Sequence, residues 1–232
     1  MAHYLVIAAS SSIGQAVTNA LRAQGDSVFT TARDRNKINP DVILDATDFD
    51  AVNRVFRLSG PIDGVDNCSG SLLLKPAHTT NKEQYQSIID ASLTTSFATV
   101  NAAGNHMKQG GSVVLIASAA ALVGISNHEA IAAAKAGIIG LTQSAAATYA
   151  TNNLRFNAVA PGMVDSPLTS QLIQNEAMYN ASKAMHALGR IGKPSDIAQA
   201  ILFLLNPNNS WITGQVIAVD GGLSRVRPKI KI

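Results

Sequence analysis

Apolar residues in this chain of 232 fall into two kinds of run. Short β-branched stretches, "YLVIAA" (4–9), "SVFTTA" (27–32), "DVILD" (41–45), "SVVLIA" (112–117), "LRFNAVA" (154–160) and "QVIAVD" (215–220), are almost continuously hydrophobic. Strands of that kind are buried on both faces, as in a parallel sheet covered by helices. Between them lie longer stretches with helical patterning at 13–24, 48–57, 81–107, 128–151, 168–188 and 194–205. The alternation predicts an α/β protein with a doubly wound sheet and helices on both faces. Such sheets bind ligands beyond the carboxyl ends of their strands, so the residues just after each strand are the informative ones. They read "SSSIG" (10–14), "RD" (33–34), "DATD" (45–48), "NCSG" (67–70), "SAAA" (118–121) and "PGMVDS" (161–166).

Composition leaves that picture as one domain over 1–232. Hydrophobic residues are 47% and charged residues 14%, with no linker, charge run or repeat to mark a boundary. The net charge of +3 comes from Arg225, Arg227, Lys229 and Lys231, and without those four cations the body carries −1. The basic segment 225–232 therefore reads as a solvated tail, and no nucleic-acid partner is expected. Cys68 is the only cysteine, which excludes an internal disulfide and points to a reducing, cytoplasmic setting. No basic leader precedes the first strand, and the longest nearly uncharged apolar stretch, 113–125, is shorter than a membrane span of roughly 18 residues. No membrane partner is expected either, and no metal site.

Two stretches suggest chemistry. In "EAIAAAKAGIIG" (129–140) a single cation, Lys135, stands among small apolar residues, where an exposed helix would carry other polar groups. From spacing alone it is either a functional group or a lysine that snorkels its head to water. "IAASSSIGQAV" (7–17) has the length of a phosphate-binding turn opening a helix, although Gly14 is its only glycine. A serine-rich helix cap explains the same residues.

The whole pattern resembles the short-chain dehydrogenase/reductase (SDR) family. That family's Thr-Gly-x-x-x-Gly-x-Gly turn falls on Ile7, Ala8, Ser12 and Gly14, its Asn-Asn-Ala-Gly on Asn67, Cys68, Ser69 and Gly70, and its Pro-Gly on Pro161 and Gly162. The closing "GRIGKPSDIAQAILFLL" and "ITGQVIAVDGG" look like the family's C-terminal signature. The resemblance implies a Rossmann-type, NAD(P)-binding sheet of seven parallel strands, with "IDGVD" (62–66) as the fourth. It also implies a homodimer or homotetramer joined through the long middle helices, with the alanine-rich helix around Lys135 buried between subunits.

By the same resemblance Ser10, Ser11, Ser12, Ile13 and Gly14 hold the pyrophosphate with Ala8, and Asp45 and Ala46 the adenine. Cys68, Ser69, Gly70, Pro161 and Gly162 line the dinucleotide, and Val164 and Ser166 hold the carboxamide. Arg33 stands where a cation would bind a 2′-phosphate, which favours NADP(H) over NAD(H). Ala8 and Ser12 replace glycines, each at a cost on the order of 1 kcal/mol. Residues 163–190 would form a lid, with Met163, Leu168, Leu172, Ile173, Met178 and Met185 making an apolar pocket for a small-molecule substrate.

The family's Tyr-x-x-x-Lys pair sits on one helix face, and its lysine falls on Lys135. Its tyrosine falls on Ile131, which has no proton to give. Ser118 stands at the family's serine distance from Ile131, and the family's asparagine falls on Ser92. His128 is the expected substitute acid, with Glu129 and His186 as weaker candidates. Three readings follow. The first is an NADP(H)-dependent oxidoreductase on a small carbonyl or alcohol, with its proton from His128, water or the substrate. The second is a catalytically silent binding or regulatory subunit. The third is a non-redox lyase or isomerase using Ser118 and the pocket.

Overall fold

A computed structural model describes residues 1–228. Lys229 and Lys231 of the basic tail lie outside the described residues, while Arg225 and Arg227 are exposed. Seven parallel strands make one sheet in the order β3-β2-β1-β4-β5-β6-β7. They are β1 (His3–Ile7), β2 (Ser27–Ala32), β3 (Val42–Ile43), β4 (Gly64–Asn67), β5 (Gly111–Ile116), β6 (Leu154–Pro161) and β7 (Val216–Val219). The helices are α1 (Ser12–Ala23), α2 (Phe49–Ser59), α3 (Lys82–Ile89), α4 (Thr95–His106), α5 (Glu129–Tyr149), α6 (Ser170–Gln174), α7 (Glu176–Met185) and α8 (Pro194–Leu205). The expected doubly wound sheet with helices on both faces is what the chain forms.

Alternation along the strands divides the core in two. Leu5, Ile7, Val65, Val113, Leu115 and Phe156 pack with residues of α2, α4 and α5 on one face. Tyr4, Val6, Val114, Ile116 and Val159 pack with residues of α1 and α8 on the other. Asp66 belongs to this second face, in register between Val6 of β1 and Val114 of β5, and is fully buried.

Several predicted elements are shorter or broken, and of the strand expected over 41–45 only Val42–Ile43 forms. β1 stops at Ile7 because Ala8 turns into the left-handed region at φ 58°. The helix expected over 81–107 is interrupted by a π-turn at Asp90–Thr94. There the hydroxyls of Thr95 and Ser96 donate to the Ser92 carbonyl at 3.1 and 2.7 Å, competing with the backbone ladder. The helix expected over 168–188 is split at Asn175, whose side chain accepts the Met178 N–H at 3.1 Å and starts a new helix. Among the described residues one helix, Glu129–Asn152, is long and apolar enough to cross a membrane. In this fold it packs on the sheet and carries Lys135.

Candidate active site

The strand tips open onto one cavity of about 1350 Å³. It is lined by Ala8, Ser10, Ser11, Ser12, Ile13, Arg33, Asp45, Ala46, Cys68, Ser69, Gly70, Ser118, His128, Lys135, Pro161, Gly162, Val164 and Ser166. Gly14 and the weaker acid candidate Glu129 are the two not on its wall among the residues expected to hold the dinucleotide or carry the chemistry. Sequence and topology explain the convergence, since each of these residues follows the carboxyl end of a parallel strand or reaches back to one.

At the nucleotide end the backbone does the positioning. Ser11 caps α1, its Oγ accepting the Gly14 N–H at 3.0 Å. A Cβ on Gly14 would stand 2.6 Å from the Ala8 carbonyl oxygen and 2.8 Å from the Ala9 Cα, so only glycine lets helix and turn approach this closely. Ala8, with φ 58°, holds a conformation that costs a non-glycine residue roughly 1–2 kcal/mol. Thr31, also on the wall, has a buried hydroxyl with no partner. Arg33 is exposed there and makes no ion pair among the described residues. The Asp45 carboxylate accepts the N–H and hydroxyl of Thr47 at 3.0 and 2.7 Å, and these bonds hold its pKa below the usual range. The open helix N-terminus, the glycine cradle and the unpaired cation fit the phosphates of a dinucleotide.

The tip of β4 contains a pair that sequence reasoning missed. The Cys68 thiol donates to Asp66 Oδ2 at 2.8 Å, while Asp66 Oδ1 has no partner. Burial pushes the Asp66 carboxyl up to about 7, and burial followed by Asp66 itself pushes the thiol well above its ordinary value. The available signal was an acid at an inward position of a strand whose neighbours there are valines. Asn67 pins β4 to α4 instead of facing the cavity, its Nδ2 donating to the Thr95 carbonyl and Thr99 Oγ1 at 3.1 and 2.8 Å.

Lys135 does not snorkel. It is 5% exposed, and Nζ donates to the Ile116 carbonyl at the end of β5 at 2.7 Å. Burial draws its pKa from 10.5 to about 8. Ile131, one turn earlier, is buried against Ile88, Ala130 and Ala134 and also faces the cavity. Ser92 is fully buried in the π-turn, with no partner for its hydroxyl oxygen. Ser118 Oγ accepts the Ala120 N–H at 3.2 Å, which leaves its own proton free for a ligand.

The three histidine and acid candidates separate. His128 stands on the wall, with Nδ1–H donating to the Ser126 carbonyl at 2.7 Å. Glu129 is exposed and does not line the cavity. His186 is buried with both ring nitrogens engaged: Nδ1–H donates to the Ser182 carbonyl at 2.6 Å and Nε2 accepts the Met163 N–H at 3.2 Å. It lines the cavity and fastens α7 to the turn after β6 through these two bonds. Met163, Leu168, Leu172, Met178 and Met185 line the cavity, whereas Ile173 does not. No group of three or more metal-ligating side chains occurs among the described residues.

A doubly wound parallel sheet with a capped first turn, a glycine cradle and a buried lysine at one cavity defines a dinucleotide-binding fold of the Rossmann type. The chain belongs to the short-chain dehydrogenase/reductase family: residues 7–224 match the family described as enoyl-(acyl carrier protein) reductase. It is 33% identical to the 3-oxoacyl-(acyl-carrier-protein) reductase FabG of Thermotoga maritima, over 94% of this chain and 96% of that one. It is 34% identical to a protein of Xanthobacter autotrophicus named inactive 2-(S)-hydroxypropyl-CoM dehydrogenase 2, over 82% and 85% of the two chains. Among solved structures, ElxO with NADP bound matches with a TM-score of 0.88 at 26% identity, over 96% of this chain and 99% of that chain.

Proposed function

We propose that the protein is an NADP(H)-dependent SDR oxidoreductase that acts on a small carbonyl or alcohol without a tyrosine acid at position 131. The observation that carries this reading is the single cavity joining the α1 turn to the buried Lys135 and the free Ser118 proton. The dinucleotide, when bound, supplies or accepts the hydride. The chain's own residues then have separable tasks. The α1 N-terminus and Ser10–Ser12 take the pyrophosphate, Arg33 a 2′-phosphate, and Lys135 the sugar hydroxyls. The methionines and leucines of 163–185 exclude water from an apolar substrate. The proton comes from the α5 side of the wall, where His128 and Lys135 stand. The ElxO structure with bound NADP supports the choice of cofactor. Exposed Phe97 on α4 and Tyr85 on α3 support self-association through the middle helices.

A second reading, a silent binding subunit, is favoured by Ile131 sitting in an apolar cluster and by a relative that is itself named inactive. Dinucleotide binding tests the first reading. NADPH is expected to raise the melting temperature and gain fluorescence on mixing, and Arg33→Ala is expected to weaken NADPH about tenfold while leaving NADH nearly unchanged. If neither dinucleotide protects the fold, the oxidoreductase reading is wrong. Binding without turnover on any carbonyl or alcohol would favour the silent subunit.

A further inference from the structure

Ile131 leaves the wall without an acid where the family resemblance puts one, yet another acid stands one turn further along α5. We propose that Lys135 itself delivers the proton to the substrate oxygen, with the Ser118 hydroxyl holding that oxygen in place. This rests on the oxidoreductase reading and assigns its proton donor.

Position comes first. Lys135 Nζ is tied to the carbonyl of Ile116, and Ser118 follows two residues later in extended backbone, at φ −162° and ψ 150°. Lys135 and Ser118 both line the one cavity at the carboxyl end of β5. An ammonium has three donors, and Ile116 occupies one, leaving two for ligands. A side chain on residue 70 would begin 3.4 Å from Nζ, so Gly70 keeps the head open on its cavity side. His128, by contrast, stands beside exposed Ser126 and Asn127 at the start of α5, with Nδ1 tied to the Ser126 carbonyl.

Charge comes second. No carboxylate lies within ion-pair reach of Lys135 among the described residues, and burial holds the nearby Cys68 thiol well above its ordinary value. A buried cation without a counter-ion releases its proton readily, in keeping with a pKa drawn down to about 8. In the reducing direction the carbonyl carbon gains the hydride supplied by NADPH. The oxygen gains a proton from Nζ, and the neutral amine regains one from water entering at the cavity mouth. The oxidising direction reverses each transfer.

Lys135→Arg separates this role from a grip on the sugar. A guanidinium keeps the cation but does not give up its proton. Turnover is expected to fall at least about 100-fold while NADPH affinity changes less than about threefold. An Arg variant within tenfold of native turnover overturns the proposal. Should the larger head disturb folding, Lys135→Met serves instead, and recovery of turnover with added methylamine supports a proton role. A third readout needs no turnover: acetylation of Lys135 by acetic anhydride, followed by mass spectrometry across pH. Half-maximal reactivity near pH 8 supports the proposal, and a midpoint near the ordinary lysine value of about 10.4 overturns it. Loss of NADPH binding in the native protein would instead sink the oxidoreductase reading, while the acetylation profile would still report on Lys135.

Discussion

The two ends of the cavity answer to different physical demands. At the nucleotide end the backbone sets the site: Ala8 adopts a left-handed φ of 58°, and Gly14 permits the close approach of α1. At the substrate end a π-turn carries Ser92 and α5 carries Lys135, and in the function proposed above position 131 is an isoleucine with no proton to give. A phosphate site needs N–H directions and space, and an extra methyl there costs about 1 kcal/mol. A general acid needs a proton, and no relaxation gives one to isoleucine. In the function proposed above, a change at the first end acts by degrees, whereas the second needs a donor at another position.

The largest expected effect tests that asymmetry directly. Ile131→Tyr combined with Ser92→Asn should raise turnover on generic ketones by about 10² to 10⁴, the range a positioned acid contributes. The gain should appear in kcat with NADPH affinity nearly unchanged, because neither residue touches the α1 turn. A double variant that binds NADPH but gains nothing would mean that the lid pocket, rather than proton delivery, limits the site.

Next in size is the contrast between two buried ionisable groups, Asp66 and Lys135. The folded Asp66 carboxyl has its pKa raised from 3.8 to about 7, so the folded state holds a proton that the unfolded chain has lost. Its contribution to stability is therefore present below pH 4 and is lost as pH rises to about 7, on the order of 4 kcal/mol in all. Lys135 works oppositely. Its folded pKa is lowered from 10.5 to about 8, the unfolded chain binds more protons between those values, and stability rises with pH across that window. These two groups together place the least stable pH near 7 to 8. Asp66→Val, flanked in register by Val6 and Val114, should flatten the acid-side fall, as denaturant unfolding at pH 5 and pH 8 would show. A native protein equally stable at both pH values would exclude a proton on Asp66.

What the sequence disclosed follows the same physics. Six strands were legible because they are nearly continuously apolar, whereas β4, with Asp66 and Asn67 among its four residues, came only from the family resemblance; the cavity wall was legible because parallel strands deliver their ends to one edge. The break at Asp90–Thr94 was not, since hydroxyl bonds to the Ser92 carbonyl depend on backbone already folded around them. The role of His186 was hidden for a similar reason: its two partners, Ser182 and Met163, come together only when α7 docks on the turn after β6. Lys135 stood out by its apolar flanks, yet only the Ile116 carbonyl explains why its head stays inside.

The smallest expected effect concerns the nucleotide end alone. Ala8→Gly removes a methyl from a left-handed residue and should stabilise the fold by up to about 1 kcal/mol, the strain relieved minus the extra freedom of an unfolded glycine. For a chain of this size that is a melting shift of about 2–4 °C. Gly14→Ala is the opposing control, because its Cβ would stand 2.6 Å from a backbone oxygen and the turn must shift to admit it. The two substitutions should move NADPH affinity in opposite directions and leave the Lys135 acetylation midpoint unchanged in the free protein. If Ala8→Gly lowers both stability and affinity, the left-handed alanine is not under strain. The turn would then have re-formed around its side chain, and the nucleotide end would have been rebuilt rather than worn down.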